Sequence, residues 1–370
     1  MTTAAVIPAP HADIQIQHRP LPELAAGEAV LETIASEVCG TDVHLWHGKL
    51  AGVPYPLVPG HVAVGAINAS NGHVSDINGN LLPIGTICTF LDVVGTCNQC
   101  WHCRLAKAST RCPSRKVYGI TLGADDGLYG GWSTHIHLRK DAIAIPLPSG
   151  LDPEMWIAAG CGLPTALHAI DLAEIKIGAT VAVLGAGPVG LSACALAAAS
   201  GAHHVYAIDP VATRRSAALK MGATHAFDLS DLASLRAESG MRGPDIVIEA
   251  SGNPAAVKLA LELVRDAGTV IVVGQYTDNG EIGLNPHLDI NKKHIRVQGC
   301  WGSDYSHFHR GVQAVRDLSD RFNWRTTVSA TYRLTDTQQA LEDVASRKVV
   351  KAVIVPVSYT HLTLPTNREV

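Results

Sequence analysis

The segment Val181-Ala-Val-Leu-Gly185-Ala-Gly187-Pro188-Val189-Gly190 constrains this 370-residue chain more than any other stretch. A buried-strand run passes directly into GxGxxG, and an Ala- and Leu-rich stretch follows. Strand, glycine turn and helix in that order open a nucleotide-binding βαβ unit. Gly185 permits the tight turn, Gly187 lets the backbone approach a pyrophosphate, and Gly190 allows close helix–strand contact. Pro188 and Val189 start the helix, whose free N–H groups and partial positive charge suit an anion. Asp209 follows Gly190 by nineteen residues, at the end of the next strand run. A carboxylate there accepts hydrogen bonds from ribose hydroxyls and repels a 2′-phosphate, which favours NAD over NADP. Arg214 belongs to the same predicted site, and with Arg215 it is the feature that would welcome the phosphorylated cofactor. A β–α turn with no ligand is the plainer alternative.

Around this fingerprint the rhythm is regular. The runs Val181–Leu184, Val205–Ile208, Ile246–Ile248, Val270–Val273 and Ile295–Val297 alternate with helix-like segments, as in a doubly wound parallel sheet. The first third reads differently. Short β segments (Ala29–Ile34, Ala63–Ala69, Thr86–Phe90, Ser133–Leu138, Ala142–Ile145) are punctuated by Gly and Pro, as in an irregular antiparallel domain. Helices over Ser306–Arg321 and Thr335–Ser346 and a strand over Val350–Val355 follow. The fold class is α/β, and the predicted division is 1–162 for the β-rich catalytic domain, 163–302 for the parallel-sheet coenzyme domain, and 303–356 for a return to the first.

Charge excludes some functions. Lys plus Arg number 29 against 33 Asp plus Glu, a net of −4, and a surface of that sign does not attract nucleic acid or anionic lipid at long range. The stretch Ile177–Ile208 carries no charged side chain, but five glycines and Pro188 interrupt it, so a buried strand–turn–helix is expected instead of a membrane span. Met1–Pro10 has neither the basic start nor the apolar run of a secretory leader, and the expected compartment is the cytoplasm.

Four of the nine cysteines crowd into the sixteen residues from Cys97 to Cys112. The spacing Cys97-x2-Cys100-x2-Cys103-x8-Cys112 is that of a tetrahedral thiolate site. Four protein donors leave no open position, so a zinc there is structural; an iron–sulfur cluster is the alternative occupant. The predicted lobe spans residues 92–115. Trp101 and His102 within it are read as packing or solvent residues.

Three further segments, Cys39-Gly-Thr-Asp-Val-His44, Gly60-His61-Val62 and Gly160-Cys161-Gly-Leu-Pro-Thr165, contain residue types of an open metal site, although Cys161 would serve equally as core packing. Taken in order with the cysteine lobe and the nucleotide fingerprint, these segments resemble the zinc-dependent medium-chain alcohol dehydrogenases over residues 25–356. That resemblance implies a GroES-like catalytic domain beside a Rossmann coenzyme domain. It implies that Cys39, His61 and Cys161 bind a catalytic zinc, so that each chain holds two Zn2+ ions. Asp42 would fix the His61 ring, and Thr41 would pass the substrate proton through the nicotinamide ribose to His44, whose plainer reading is a solvent-facing histidine. The implied reaction is reversible hydride transfer between a primary or secondary alcohol and NAD through a zinc-bound alkoxide.

Two positions depart from the family pattern. Val62 stands where Glu usually follows the metal-binding His, which leaves Cys161 harder to replace. The last gap of the cysteine lobe has eight residues where seven is usual, and a one-residue bulge is expected. Trp46, Phe90 and Val93 could line the substrate pocket or belong to the core. The partner is a small alcohol or carbonyl compound, and a homodimer or homotetramer is implied, with Val297–Trp301 in the contact. An NADPH-dependent carbonyl reductase of the same superfamily and, more remotely, a zinc-ribbon binding module are the competing readings. Residues 357–370, whose start VSYTHLTLPT resembles one frame of a transposon end used in library preparation, are read as a non-native tail, with a natural disordered tail as the alternative.

Overall fold

The computed structural model describes residues 1–356, so the suspected tail at 357–370 lies outside the described residues. Two large sheets organise the chain. The parallel one has six strands in the order His225–Phe227, His204–Ile208, Thr180–Leu184, Ile246–Glu249, Thr269–Val272, Arg296–Gly299. Every neighbouring pair is parallel. The order reverses beside Thr180–Leu184, so the crevice at its carboxyl end is where such a sheet takes a ligand.

The uncharged stretch of the sequence is the centre of this layer. Strand Thr180–Leu184, helix Pro188–Ala199 and strand His204–Ile208 follow one another, and the helix is buried from Gly190 to Ala197. A helix covered on all sides needs no polar face, which is why the run looked apolar throughout. Gly190 is the tight point. A Cβ there would overlap the Gly185 carbonyl oxygen, so Gly190→Ala would push the helix off the strand. No helix among the described residues is long and apolar enough to cross a membrane.

The second sheet has seven strands. Its path runs Ala330–Arg333, Ala352–Val355, Ala29–Val38, Ala63–Ser70, Ile87–Phe90, Ala144–Pro146, and His135–Leu138 also pairs with Ala29–Val38. The chain therefore leaves this sheet, builds the parallel one, and comes back. Ala352 lies opposite Val38 and Val353 opposite Glu37 in antiparallel register. The helices after the parallel sheet are shorter than predicted: Tyr305–Asp317, capped at Leu318, and Thr337–Ala345 after a 3-10 turn over Leu334–Asp336. An N-terminal hairpin, Thr2–Val6 with Gln15–Arg19, was not anticipated.

One continuous apolar core joins the sheets, running from Val62 and Val64 through Trp156 and Leu163 to Val183 and Trp324. A cavity of about 350 Å³ opens between them, walled by Val38–Gly40 on one side and the glycine turn on the other. A second depression, bordered by Lys176, Asp245, Arg265 and Arg296, lies at the opposite, amino ends of the parallel strands.

Candidate active site

Three segments distant in sequence meet at the cavity wall. Cys39 ends the long strand Ala29–Val38 and caps helix Gly40–Trp46, its sulfur accepting the Thr41 N–H at 3.3 Å. His61 precedes strand Ala63–Ser70, with Nε2 3.9 Å from the Cys39 sulfur. Cys161 caps helix Gly162–Ala173. One donor atom from each of Cys39, His61 and Cys161, together with a carboxylate oxygen of Glu37, lies within 4.8 Å of the others. Sequence reasoning had named the first three and missed Glu37.

Proton affinities within the cluster suit a cation. Burial opposes ionisation of Cys39, yet the hydrogen bond with Cys161 and the positive charge of His61 hold its thiol well below the usual range. His61 is pulled up to about 10; burial works against the charge, but the Cys39 thiolate outweighs it. The hydrogen bond with Cys39, then burial, pushes Cys161 well above the usual thiol range. In the chain alone the cluster thus retains protons that a thiophilic divalent ion would displace, so its donor set fits zinc.

Asp42 does not orient the His61 ring as expected. Its Oδ2 accepts the Cys39 N–H at 2.8 Å and its Oδ1 the Gly60 N–H at 3.4 Å. The carboxylate ties together the backbones that carry two donors, because both segments turn toward it. After the Cys39 thiolate, the charges of Asp42 and then of buried Asp92 raise the proton affinity of His61, and His61 Nδ1 and Asp92 Oδ1 both lack a hydrogen-bond partner among the described residues.

Thr41 and His44 share one face of the short helix at i and i+3. His44 is half-buried; burial lowers its pKa from 6.5, and its Nδ1 has no hydrogen-bond partner among the described residues. Its ring lies 6.2 Å from that of Tyr276, which stacks on Trp301 at 5.7 Å. Arg111 and Arg115 from the cysteine lobe reach over Trp301 at 5.1 and 5.4 Å. Burial pushes the Tyr276 phenol up to about 12. Tyr276 was missed; its position just past a parallel strand's carboxyl end was the available signal. Of the suggested pocket residues, Phe90 is fully buried against Tyr118 and Val93 packs in the core, while Trp46 donates Nε1–H to the Ala12 carbonyl.

The nucleotide fingerprint forms the other wall. Gly185 has φ +94°, and a Cβ on Gly187 would meet nothing within 4 Å, so that backbone faces open space. Helix Pro188–Ala199 begins there with Pro188 in its first turn. Asp209 is buried with its oxygens accepting N–H groups of Ala186 and Val211, both at 2.8 Å, so it also shapes the glycine turn. Arg214 lines the cavity; Arg215 turns away to pair with Asp228 at 2.8 Å. Arg347 and Lys351, brought by the returning chain, complete the wall and were not foreseen.

Cys97, Cys100, Cys103 and Cys112 converge as predicted, their sulfurs within 4.8 Å of one another. The Cys97 sulfur accepts the Cys100 N–H and the Cys112 sulfur the Cys97 N–H, each at 3.3 Å. Backbone donors, from Gln99 and then Cys100, lower the Cys97 thiol to about 6. Within the longer last gap the chain turns at Lys107, with φ +52°, and through a 3-10 turn over Ser109–Arg111. Trp101 is 63% exposed, as a solvent residue should be. All nine cysteines are unpaired thiols.

Residues 25–149 match the model of the alcohol dehydrogenase GroES-like domain, and residues 188–318 that of the zinc-binding dehydrogenases. A protein of Mycobacterium tuberculosis named as an alcohol dehydrogenase is 30% identical over 359 residues, covering 93% of this chain and 95% of its own. An alcohol dehydrogenase from Thermotoga maritima superposes with a TM-score of 0.91 at 28% identity, over 96% of this chain and 99% of its own. A zinc-binding dehydrogenase of Sinorhizobium meliloti, bound to NADP, gives 0.84 at 27% identity over 96% and 99%.

Proposed function

Starting from the fact that this chain belongs to the zinc-dependent medium-chain alcohol dehydrogenases, oxidoreductases acting on alcohols, we propose that it is a cytoplasmic NAD-dependent enzyme interconverting a primary or secondary alcohol and its carbonyl product. The observation that carries this reading is the shared wall: Cys39 is both a member of the buried donor cluster and part of the cavity that holds the glycine turn. Hydride donor and acceptor can meet only where those two features adjoin.

Cys39, His61 and Cys161 would hold the catalytic zinc, and Cys97, Cys100, Cys103 and Cys112 a structural one. The catalytic ion would supply Lewis-acid polarisation of the alcohol oxygen, lowering its proton affinity. The chain's own residues do the rest. Asp42 fixes the relative position of the two backbone segments that present Cys39 and His61. Thr41, whose backbone N–H already meets the Cys39 sulfur, would receive the substrate proton at its hydroxyl, and His44 would store it at Nδ1. Tyr276, buried within electrostatic reach of Cys39 and Cys161 and stacked on Trp301, would help keep water from the cluster.

The carboxylate of Asp209 favours NAD; Arg214 on the same wall is the observation behind the alternative, an NADP-dependent carbonyl reductase. Copies of the chain would pair along the free edge strand Arg296–Gly299, where Val297 is exposed. The test measures kcat/KM with NAD and with NADP over a panel of primary, secondary, cyclic and polyol alcohols, for wild type and Asp209→Ala. A wild-type preference for NAD that Asp209→Ala reduces by about 10-fold is expected; a wild-type preference for NADP overturns the cofactor assignment, and no turnover with any alcohol overturns the reaction.

A further inference from the structure

Glu37 and Lys351 are at most 1% exposed, and neither has a role in the mechanism above. The Glu37 Oε2 lies 2.6 Å from Lys351 Nζ. Its Oε1 accepts the N–H of Cys161 at 2.9 Å. The antiparallel register of Ala352 with Val38 brings the ammonium to the carboxylate, and Gly160 leaves the room: a Cβ there would overlap both Oε2 and Nζ. Oε2 faces the Lys351 ammonium and has no further hydrogen-bond partner among the described residues, so one side of this buried carboxylate oxygen is open to a second partner.

We propose that Glu37 is a fourth, displaceable donor to the cation held by Cys39, His61 and Cys161, kept within reach by Lys351. The proposal rests on the reading that those three residues bind zinc. A carboxylate oxygen of Glu37 already lies within 4.8 Å of the other three donor atoms. Charge supports the assignment. Two thiolates balance a divalent ion, and the ammonium of Lys351 balances the carboxylate, so the assembly stays neutral where solvent is scarce. Displacement is equally provided for. When a substrate oxygen takes its place, the carboxylate returns to the Cys161 N–H and to Lys351, and no buried charge is stranded. Glu37 would thus keep water off the ion until an alcohol arrives.

Cobalt(II) loaded in place of zinc reports on the fourth donor through its visible bands, and the closed four-cysteine site contributes equally to every variant. In wild type the bands should not change between about pH 6 and 9, because no ionisable water is bound. In Glu37→Gln a water should enter, and the bands should titrate within that range while cobalt affinity falls about 10- to 100-fold. Glu37→Gln/Lys351→Met, which removes the unpaired ammonium, should titrate like Glu37→Gln. Wild-type bands that already titrate would overturn the proposal, as would a double variant that regains the wild-type behaviour. Cys161→Ala separates the two levels of inference: bands that survive it unchanged would sink the zinc assignment, and with it Glu37, whereas their loss beside titrating wild-type bands would sink Glu37 alone.

Discussion

Cys97, Cys100, Cys103 and Cys112 come from one sixteen-residue loop, while Cys39, His61 and Cys161 come from a strand end, a strand start and a helix cap in different parts of the chain. The loop is partly exposed, and its own backbone N–H groups tune its sulfurs. The buried cluster instead draws on Asp42, Asp92, Glu37 and Lys351, none of which is contiguous with all three donors. A site that only holds shape can be written locally. One that must leave a position for substrate needs the whole fold to keep its donors apart from water and its charges balanced.

Cys161→Ala should give the largest effect, a fall in turnover of about 10³-fold or more with one zinc retained per chain, read by metal analysis beside steady-state rates. Its mirror, Cys100→Ser, should lower the melting temperature while the folded fraction keeps its kcat. If Cys100→Ser abolished turnover in folded protein, the distinction between the two sites would fail.

Lys351→Met comes next. It leaves the Glu37 carboxylate buried without its partner and should destabilise the protein by about 3–5 kcal/mol in denaturant unfolding. Adding Glu37→Gln should recover most of that loss. Equal stability of Lys351→Met and wild type would mean that the buried site does not depend on distant charge.

His44→Gln should lower kcat/KM by about 10² at neutral pH. Because burial depresses the His44 pKa, the ring is neutral at pH 7 and accepts a proton; the acid limb of the wild-type rate should therefore fall below pH 6.5, and it should vanish in His44→Gln. The smallest effect is on stability under chelation. Dipicolinate should remove one zinc and the activity together with little change in melting temperature, since the four-thiolate lobe keeps its ion.

How much of this was readable in advance follows the same division. The cysteine lobe and the glycine turn carry their geometry in adjacent letters, so spacing alone identified them. Cys39, His61 and Cys161 have no such local signature and were assigned only through family likeness. Glu37 was invisible for a physical reason: strand Ala29–Val38 is buried on both faces toward its end, which erases the alternation that would mark an inward carboxylate. Lys351 needed the register of strands from opposite ends of the chain. For Asp42 the letters showed a carboxylate near His61, which its charge does reach, but not that its oxygens accept the N–H groups of Cys39 and Gly60, because those bonds depend on how two distant segments turn.

The pairing of Ala352–Val355 with Ala29–Val38 also bears on how the molecule is made. During synthesis the strands of the parallel sheet emerge before Ala352–Val355, so the sheet that frames the donor cluster waits for a strand that follows the whole parallel-sheet unit in the chain. A nascent chain stalled before Lys351 would therefore lack both the ammonium beside Glu37 and the strand that brings it there.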